Sequence, residues 1–115
     1  MDNKNIYIVK KIDNYQIVIN KGTQNEINSF MRFLVYEEGE EIIDPNTKQS
    51  LGKLEIPKGF FKVQHIQEKM TTLISELKKD KRIIPVLDVF GEIDAEKDLL
   101  NSIKVGDRVK IINEL

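Results

Sequence analysis

Cysteine is absent from the 115-residue chain, which excludes disulfides, thiol nucleophiles and thiolate metal sites and leaves the redox compartment open. Tryptophan is absent too, and only five phenylalanines and three tyrosines are present. An immunoglobulin sandwich built on a Cys–Trp–Cys core is therefore excluded. Few rings also remain for a platform on which nucleic-acid bases would stack.

Long apolar runs and an excess of one charge are also missing. The longest apolar runs reach only about four or five residues, far below the roughly 20 of a membrane-spanning helix. No apolar segment follows the polar start of the chain, so no signal peptide is predicted and a cytoplasmic location is expected. Eighteen basic and 19 acidic residues give a net charge of −1, which favours neither nucleic acid nor an anionic membrane.

Apolar residues make up 40% of the chain, enough for the core of one domain that covers residues 1–115. Their spacing in the first two thirds has the period of two that is typical of β-strands. Residues 6–12 and 15–20 alternate in this way around the turn pair Asp13-Asn14, which predicts a β-hairpin. Further strands are predicted at 31–36, 41–43, 51–56 and 61–67.

Turn residues separate these strands. Residues 37–40 are acidic and contain a glycine, so they are interpreted as a turn, and residues 44–47 have the Asp-Pro start of a type I turn. Pro57 lacks an N–H, and the sequence therefore predicts that the strand ends there or lies at an edge before Lys58-Gly59 turns the chain.

The last third is less regular. Residues 68–77 fit either a strand or a helix, and the β-branched pair Thr71-Thr72 favours the strand. Residues 78–82 form a charged connector, and residues 83–90 are strand-like but interrupted by Pro85. A short helix is predicted from Asp94 to about Ile103, followed by a final strand over residues 105–112.

Short strands with turns every 8 to 12 residues predict a mainly β fold, a single small antiparallel β-barrel of five to seven strands with one short helix near the C-terminus. Closing the sheet would also remove its exposed edges.

Motifs for known chemistry are absent. The sequence contains no glycine-rich phosphate loop, no GxSxG elbow and no HExxH zinc motif. His65 is the only histidine and alternates in phase with Phe61 and Val63, so a structural or surface role is expected. The acidic residues of 37–44 are interpreted as a solvated turn. We therefore expect no enzyme, no cofactor and no metal site.

Exposed aromatic residues are the best candidates for binding. Phe60 and Phe61 are adjacent, and since neighbours in a strand point to opposite faces, one ring must face outward. Phe30 and Tyr36 are the next candidates. The sequence therefore predicts a protein-binding module that uses a strand edge and the loops 22–30 and 57–61, with Phe60 as the apolar anchor.

The alternative is single-stranded nucleic-acid binding by a barrel of the OB type. The basic connector residues would contact phosphates and an exposed ring would stack on bases. These connector residues are Lys78, Lys79, Lys81 and Arg82.

Several short motifs together resemble one known domain. They are Asn20-Lys21-Gly22, Phe33-Leu34-Val35, Asp44-Pro45-Asn46-Thr47, Leu51-Gly52 and Val105-Gly106-Asp107-Arg108-Val109. In this order they resemble the small β-barrel at the C-terminus of the flagellar assembly protein T family and related bacterial proteins. The family pattern has glycines at the positions of Glu26 and Phe30. The resemblance, over residues 6–112, implies a non-enzymatic assembly or binding module.

Overall fold

The computed structural model describes residues 5–77 and 99–113, and these contain six β-strands. The first two strands form a hairpin with three residue pairs, and a 3₁₀ turn at Thr23–Asn25 links it to the longest strands. The strands are β1 (Ile8–Lys11), β2 (Gln16–Ile19), β3 (Arg32–Ile43), β4 (Ser50–Ile66), β5 (Thr71–Ser75) and β6 (Arg108–Asn113). Residues 99–101 are helical.

All six strands form one antiparallel sheet in the order β1-β2-β5-β4-β3-β6. The two edge strands approach each other where β1 and β6 begin. An isolated bridge joins Tyr7 to Arg108, and the Ile8 N–H donates to the Asp107 carbonyl at 3.0 Å. Among residues 5–77 and 99–113, no continuous ladder closes the sheet between these edges. The mainly β fold is thus confirmed, with six strands in the described ranges, whereas a closed barrel is not shown there.

The core lies on the concave side of the sheet. Strand alternation brings apolar side chains from all six strands to this side, where they lose contact with water. The fully buried members include Ile8, Ile17, Ile19, Phe33, Val35, Phe61, Leu73 and Val109. The predicted first hairpin is confirmed, as is the strand interpretation of Thr71-Thr72, whose segment pairs with both β2 and β4.

The helical turn at 99–101 covers one part of this core. Leu100 and Ile103 are buried in it, whereas Leu99 of the same predicted helix is 44% exposed. Gly59 allows this packing, because a Cβ there would lie only 3.1 Å from Leu100 Cδ2. Lys11 Nζ donates to the Ile103 carbonyl at 3.0 Å and neighbouring carbonyls, which satisfies the end of the turn. The predicted start at Asp94 lies outside the described residues, as do the connector and the segment 83–90.

The two turns predicted at residues 37–40 and 57–59 are wrong. The chain does not turn at 37–40 or at 57–59, because β3 runs without a break to Ile43 and β4 runs through Pro57 to Ile66. Their pairing absorbs the irregular residues as β-bulges: Lys58 is the extra residue on β4, and one extra residue lies on β3 between Glu38 and Glu41. The turn at Asp44 is confirmed, with Asn46 N–H donating to its carboxylate at 2.8 Å.

The loop before β3 contains a residue in the left-handed region. Glu26 ends the 3₁₀ turn with φ 68°. This left-handed conformation is costly for a residue with a Cβ.

Candidate binding surface

The convex face of β3, β4 and β6 carries the predicted aromatic residues. Since Phe33, Val35 and Phe61 point into the core, Leu34, Tyr36 and Phe60 point outward. Leu34 lies opposite Phe60 on β4 and opposite Lys110 on β6. The expectation that one ring of the Phe60–Phe61 pair faces outward is confirmed, with Phe60 46% exposed and Phe61 fully buried.

A groove of about 380 Å³ runs beside the Phe60 ring. Its lining combines residues of β3 and β4 with the end of β5, the chain after it and the helical turn at 99–101. Most of the lining is apolar, with Leu34, Pro57, Phe60, Leu77, Leu99 and Leu100 as the apolar members. Such a groove can bury an apolar side chain of a ligand, since concave apolar sites are the usual form of binding pockets.

Cations cover the rings of this face. The Arg32 guanidinium lies 4.9 Å from the Phe60 ring centroid, and Lys110 Nζ lies 5.4 Å from that of Tyr36. Arg32 also donates two hydrogen bonds to Glu76, one of them at 2.7 Å from Nη2. These bonds raise the pKa of Arg32 and lower the pKa of Glu76. Cation–π contacts hold both rings in place and occupy one side of each.

Phe30 is separate from this groove. It is 71% exposed in the loop before β3 and does not line the groove. The remaining predicted binding residues, the connector cations Lys78, Lys79, Lys81 and Arg82, lie outside the described residues. The structure thus places Phe60 and Tyr36 on one face and leaves Phe30 in a different environment.

A buried ion cluster lies at the end of the groove. Lys58, turned inward by its bulge, is only 4% exposed. Its Nζ donates to Asp107 Oδ2 and to the Ser102 carbonyl, each at 2.8 Å, and forms an ion pair with Glu37 Oε1 at 2.9 Å. These three oxygens surround the ammonium group, which has three N–H donors. The cluster therefore ties β4 to the chain before β6.

Lys104 completes the cluster from the exposed side. Its Nζ lies 3.0 Å from Glu37 Oε1 and 3.3 Å from Asp107 Oδ1. Hydrogen bonds from Lys58 and Lys104 lower the pKa of Glu37, and the bond to Glu37 raises the pKa of Lys104. Sequence analysis missed this cluster, because only the bulge turns Lys58 away from solvent. It also missed Leu34, whose position opposite Phe60 depends on strand register.

The acidic residues and the histidine do not converge. Glu41 lies opposite Lys53 on β4, and His65 is 12 residues further along the same strand, roughly 40 Å away at the usual rise of a strand. Within residues 5–77 and 99–113, no group of three or more His, Asp or Glu side chains is arranged to hold a metal ion. No helix in these ranges is long and apolar enough to cross a membrane.

Comparisons with known proteins add no family. Neither the family models nor the curated proteins searched match this chain.

Proposed function

We propose that the protein is a binding module that accepts an apolar side chain of another protein in the groove beside Phe60. The observation that carries this proposal is the combination of an open apolar groove with a half-exposed ring at its edge. Exposed aromatic residues beside apolar pockets are typical anchor sites of protein interfaces. Arg32 stacks on Phe60 and fixes its orientation, which reduces the entropy lost on binding.

Matched phenylalanine variants test the proposal. Phe60→Ala removes the anchor, whereas Phe30→Ala removes a more exposed ring outside the groove. In affinity capture from host lysate treated with nuclease, we expect Phe60→Ala to lose specific proteins that the parent chain and Phe30→Ala retain. Capture that is unchanged by Phe60→Ala would contradict the groove as the binding site.

Single-stranded nucleic-acid binding is the second candidate. Its support is the basic character of the convex face, where Arg32, Lys62, Arg108 and Lys110 surround Tyr36 and Phe60. Two facts weigh against it: Glu76 and Glu55 pair with Arg32 and Lys110, and cations already cover both rings.

Salt dependence separates the two candidates. Phosphate contacts release counterions, so nucleic-acid affinity falls steeply as salt increases. Fluorescence anisotropy with labelled oligo-dT and oligo-rU at 50 and 200 mM salt measures this directly. Binding that weakens at least tenfold over this range, and that is lost in Lys62→Ala, would favour nucleic acid over protein.

The proposal includes a barrel that closes between β1 and β6. Its support is the Tyr7–Arg108 bridge and the short hydrogen bonds around it, among them Val109 N–H to the Ile6 carbonyl at 3.1 Å. Hydrogen exchange tests this closure, because amides of Ile8 and Val109 would exchange as slowly as those of central strands. The resemblance to the flagellar assembly domain agrees with such a non-enzymatic module and remains a prediction.

A further inference from the structure

The far halves of β3 and β4 form a two-stranded arm, residues 37–57, that extends beyond the sheet. Strand β6 pairs with β3 only as far as Tyr36, and β5 pairs with β4 only from Phe61 onward. Among the described strands, none pairs with the outer edges of the arm. Because no described strand covers them, the edges of the arm expose main-chain hydrogen-bonding groups. Isolated hairpins are only marginally stable in water.

One face of the arm is apolar. Leu54 and Ile56 are 50% and 42% exposed, and Ile42 lies on the same face further toward the tip. Glu37 lies opposite Ile56 and reaches the buried Lys58, so this face continues the core side of the sheet. The apolar pattern of the core therefore extends past the point where the other strands stop covering it.

The opposite face is charged. Glu38 lies opposite Glu55, and Glu41 lies opposite Lys53. The arm contains six acidic and two basic residues, a net charge of −4 in a chain whose total is −1. Glu38 and Glu40 have no ion-pair partner among residues 5–77 and 99–113. An acidic surface beside an open strand edge attracts a basic ligand.

Gly39 opens the apolar face at the β3 edge. A Cβ at this position would lie 3.3 Å from Ile56 Cδ1 and 3.5 Å from Leu54 Cβ. Because glycine has no side chain, both apolar residues can be reached from the β3 side. A side chain of an added strand could cross over Gly39 and contact them, as cross-strand neighbours do.

We propose that the β3 edge of the arm binds an extended segment of another protein in which apolar and basic residues alternate. The segment adds an edge strand to the arm by main-chain hydrogen bonds. Alternate side chains then fall on opposite faces: the apolar ones cover Leu54 and Ile56, and the basic ones face Glu38 and Glu41. This site is independent of the Phe60 groove.

A second copy of the chain is a poorer occupant. Pairing two β3 edges would bring Glu38, Glu40 and Glu41 close to the same residues of the other copy, and like charges opposite each other are destabilising. The charges of the arm thus oppose self-association and select a basic partner.

The test uses a fluorescein-labelled eight-residue peptide of alternating lysine and valine, blocked at both ends. Anisotropy measures its binding to the complete chain. We expect saturable binding that weakens about three- to tenfold in Glu38→Gln/Glu40→Gln and at least tenfold in Leu54→Ser/Ile56→Ser. Ile43→Ser, which removes one exposed apolar side chain from the charged face, and Phe60→Ala should bind as the parent chain does.

Peptide controls separate strand addition from charge attraction without any protein variant. A block peptide with four lysines followed by four valines has the same charge, and an alternating peptide N-methylated at every second residue cannot complete the ladder. We expect both to bind at least tenfold more weakly. Equal binding by either one would overturn the proposal, as would no binding of the parent peptide.

Sedimentation velocity tests the competing occupant. The chain alone should be monomeric at 10–100 μM (roughly the range in which weak interfaces show). A dimer that Leu54→Ser/Ile56→Ser dissociates would assign the apolar face to a second copy and overturn the proposal. These outcomes do not depend on the capture experiment with Phe60→Ala. A negative result for the arm therefore leaves the proposal for the Phe60 groove intact, and the converse also holds.

Discussion

Strands β3 and β4 run through two regions of the protein in which the same alternation of residues has opposite results. In the body of the sheet, Phe33, Val35 and Phe61 are completely buried. In the arm, Leu54 and Ile56 continue the apolar face of the same two strands and remain about half exposed. Strand pairing is present in both regions, so pairing alone does not bury a side chain.

Neighbouring elements account for the difference. Beside the body, β5 and β6 extend the sheet on either side, and Leu100 packs against it at Gly59. Beyond Tyr36 and Pro57 the described residues supply no such neighbour. Burial of apolar area is the dominant stabilising term in folding, and we therefore expect the two regions to respond differently to the same kind of substitution.

The adjacent rings Phe61 and Phe60 give the largest contrast. Phe61→Ala leaves a cavity in the core and should lower the free energy of unfolding by about 3–5 kcal/mol. Phe60→Ala removes a half-exposed ring and a cation–π contact, and should cost about 1 kcal/mol. Urea unfolding monitored by circular dichroism measures both. Equal losses would show that the two faces of β4 are equally buried.

Asp107→Ala should have the next largest effect. It leaves the buried Lys58 ammonium without its buried partner, although Glu37 and the Ser102 carbonyl remain. Breaking a buried ion pair in this way costs about 3 kcal/mol. Glu55→Ala, which breaks the exposed pair with Lys110, serves as the control and should change stability by less than about 1 kcal/mol. Similar changes in both variants would contradict the structural role of Lys58.

The pKa of Glu37 predicts a smaller effect that depends on pH. Hydrogen bonds from Lys58 and Lys104 lower this pKa in the folded state from its ordinary value of 4.5. The folded chain therefore gains stability from the ionised carboxylate above about pH 4.5, and this gain is lost as the pH falls through the lower folded-state value.

Unfolding curves between pH 2 and 7 test this prediction. Glu37→Gln should be less stable than the parent chain at pH 7, and the difference should shrink as the pH falls below 4.5. Glu38→Gln, one residue further along β3 and outside the cluster, is the control. A stability difference for Glu37→Gln that stays constant over this pH range would disagree with the ion cluster.

The smallest effect is expected in the arm. Ile56→Ala should lower the free energy of unfolding by less than about 1 kcal/mol, because the side chain is already partly in water. Val35→Ala removes fewer atoms from the same pair of strands, β3 and β4, but should cost about 2 kcal/mol, since those atoms are fully buried. Thermal and urea unfolding measure both losses. A larger loss of unfolding free energy for Ile56→Ala than for Val35→Ala would show that the arm is covered in solution.

Local patterns predicted several of these features correctly. The Asp13-Asn14 hairpin, the turn at Asp44 and the strand at Thr71–Ser75 depend on residues close in sequence. The outward position of Phe60 required only its adjacency to Phe61. The groove beside Phe60 was not predictable, because Leu34, Leu77 and Leu99 come from three separate parts of the chain.

The interruptions of β3 and β4 show why prediction failed there. Residues 37–40 and Pro57-Lys58-Gly59 have the composition of turns, and a single strand gives no sign that its partner can absorb an extra residue. When two long strands pair, the ladder continues on either side of a bulge, so the strand bends there without ending. The same bulge then turns Lys58 toward Asp107, which created the ion cluster.

The sequence by itself determined the β-class, the alternation of apolar and polar residues along the strands and the absence of recognisable catalytic motifs, because alternation and residue type are local properties. The tertiary structure alone decided which apolar residues are buried, where Lys58 points, and that Phe60 borders a groove while Leu54 and Ile56 form an uncovered face. The physical reason is that burial depends on which strands and turns come to lie next to a residue. Neighbours distant in sequence supply that contact, and no local pattern specifies them.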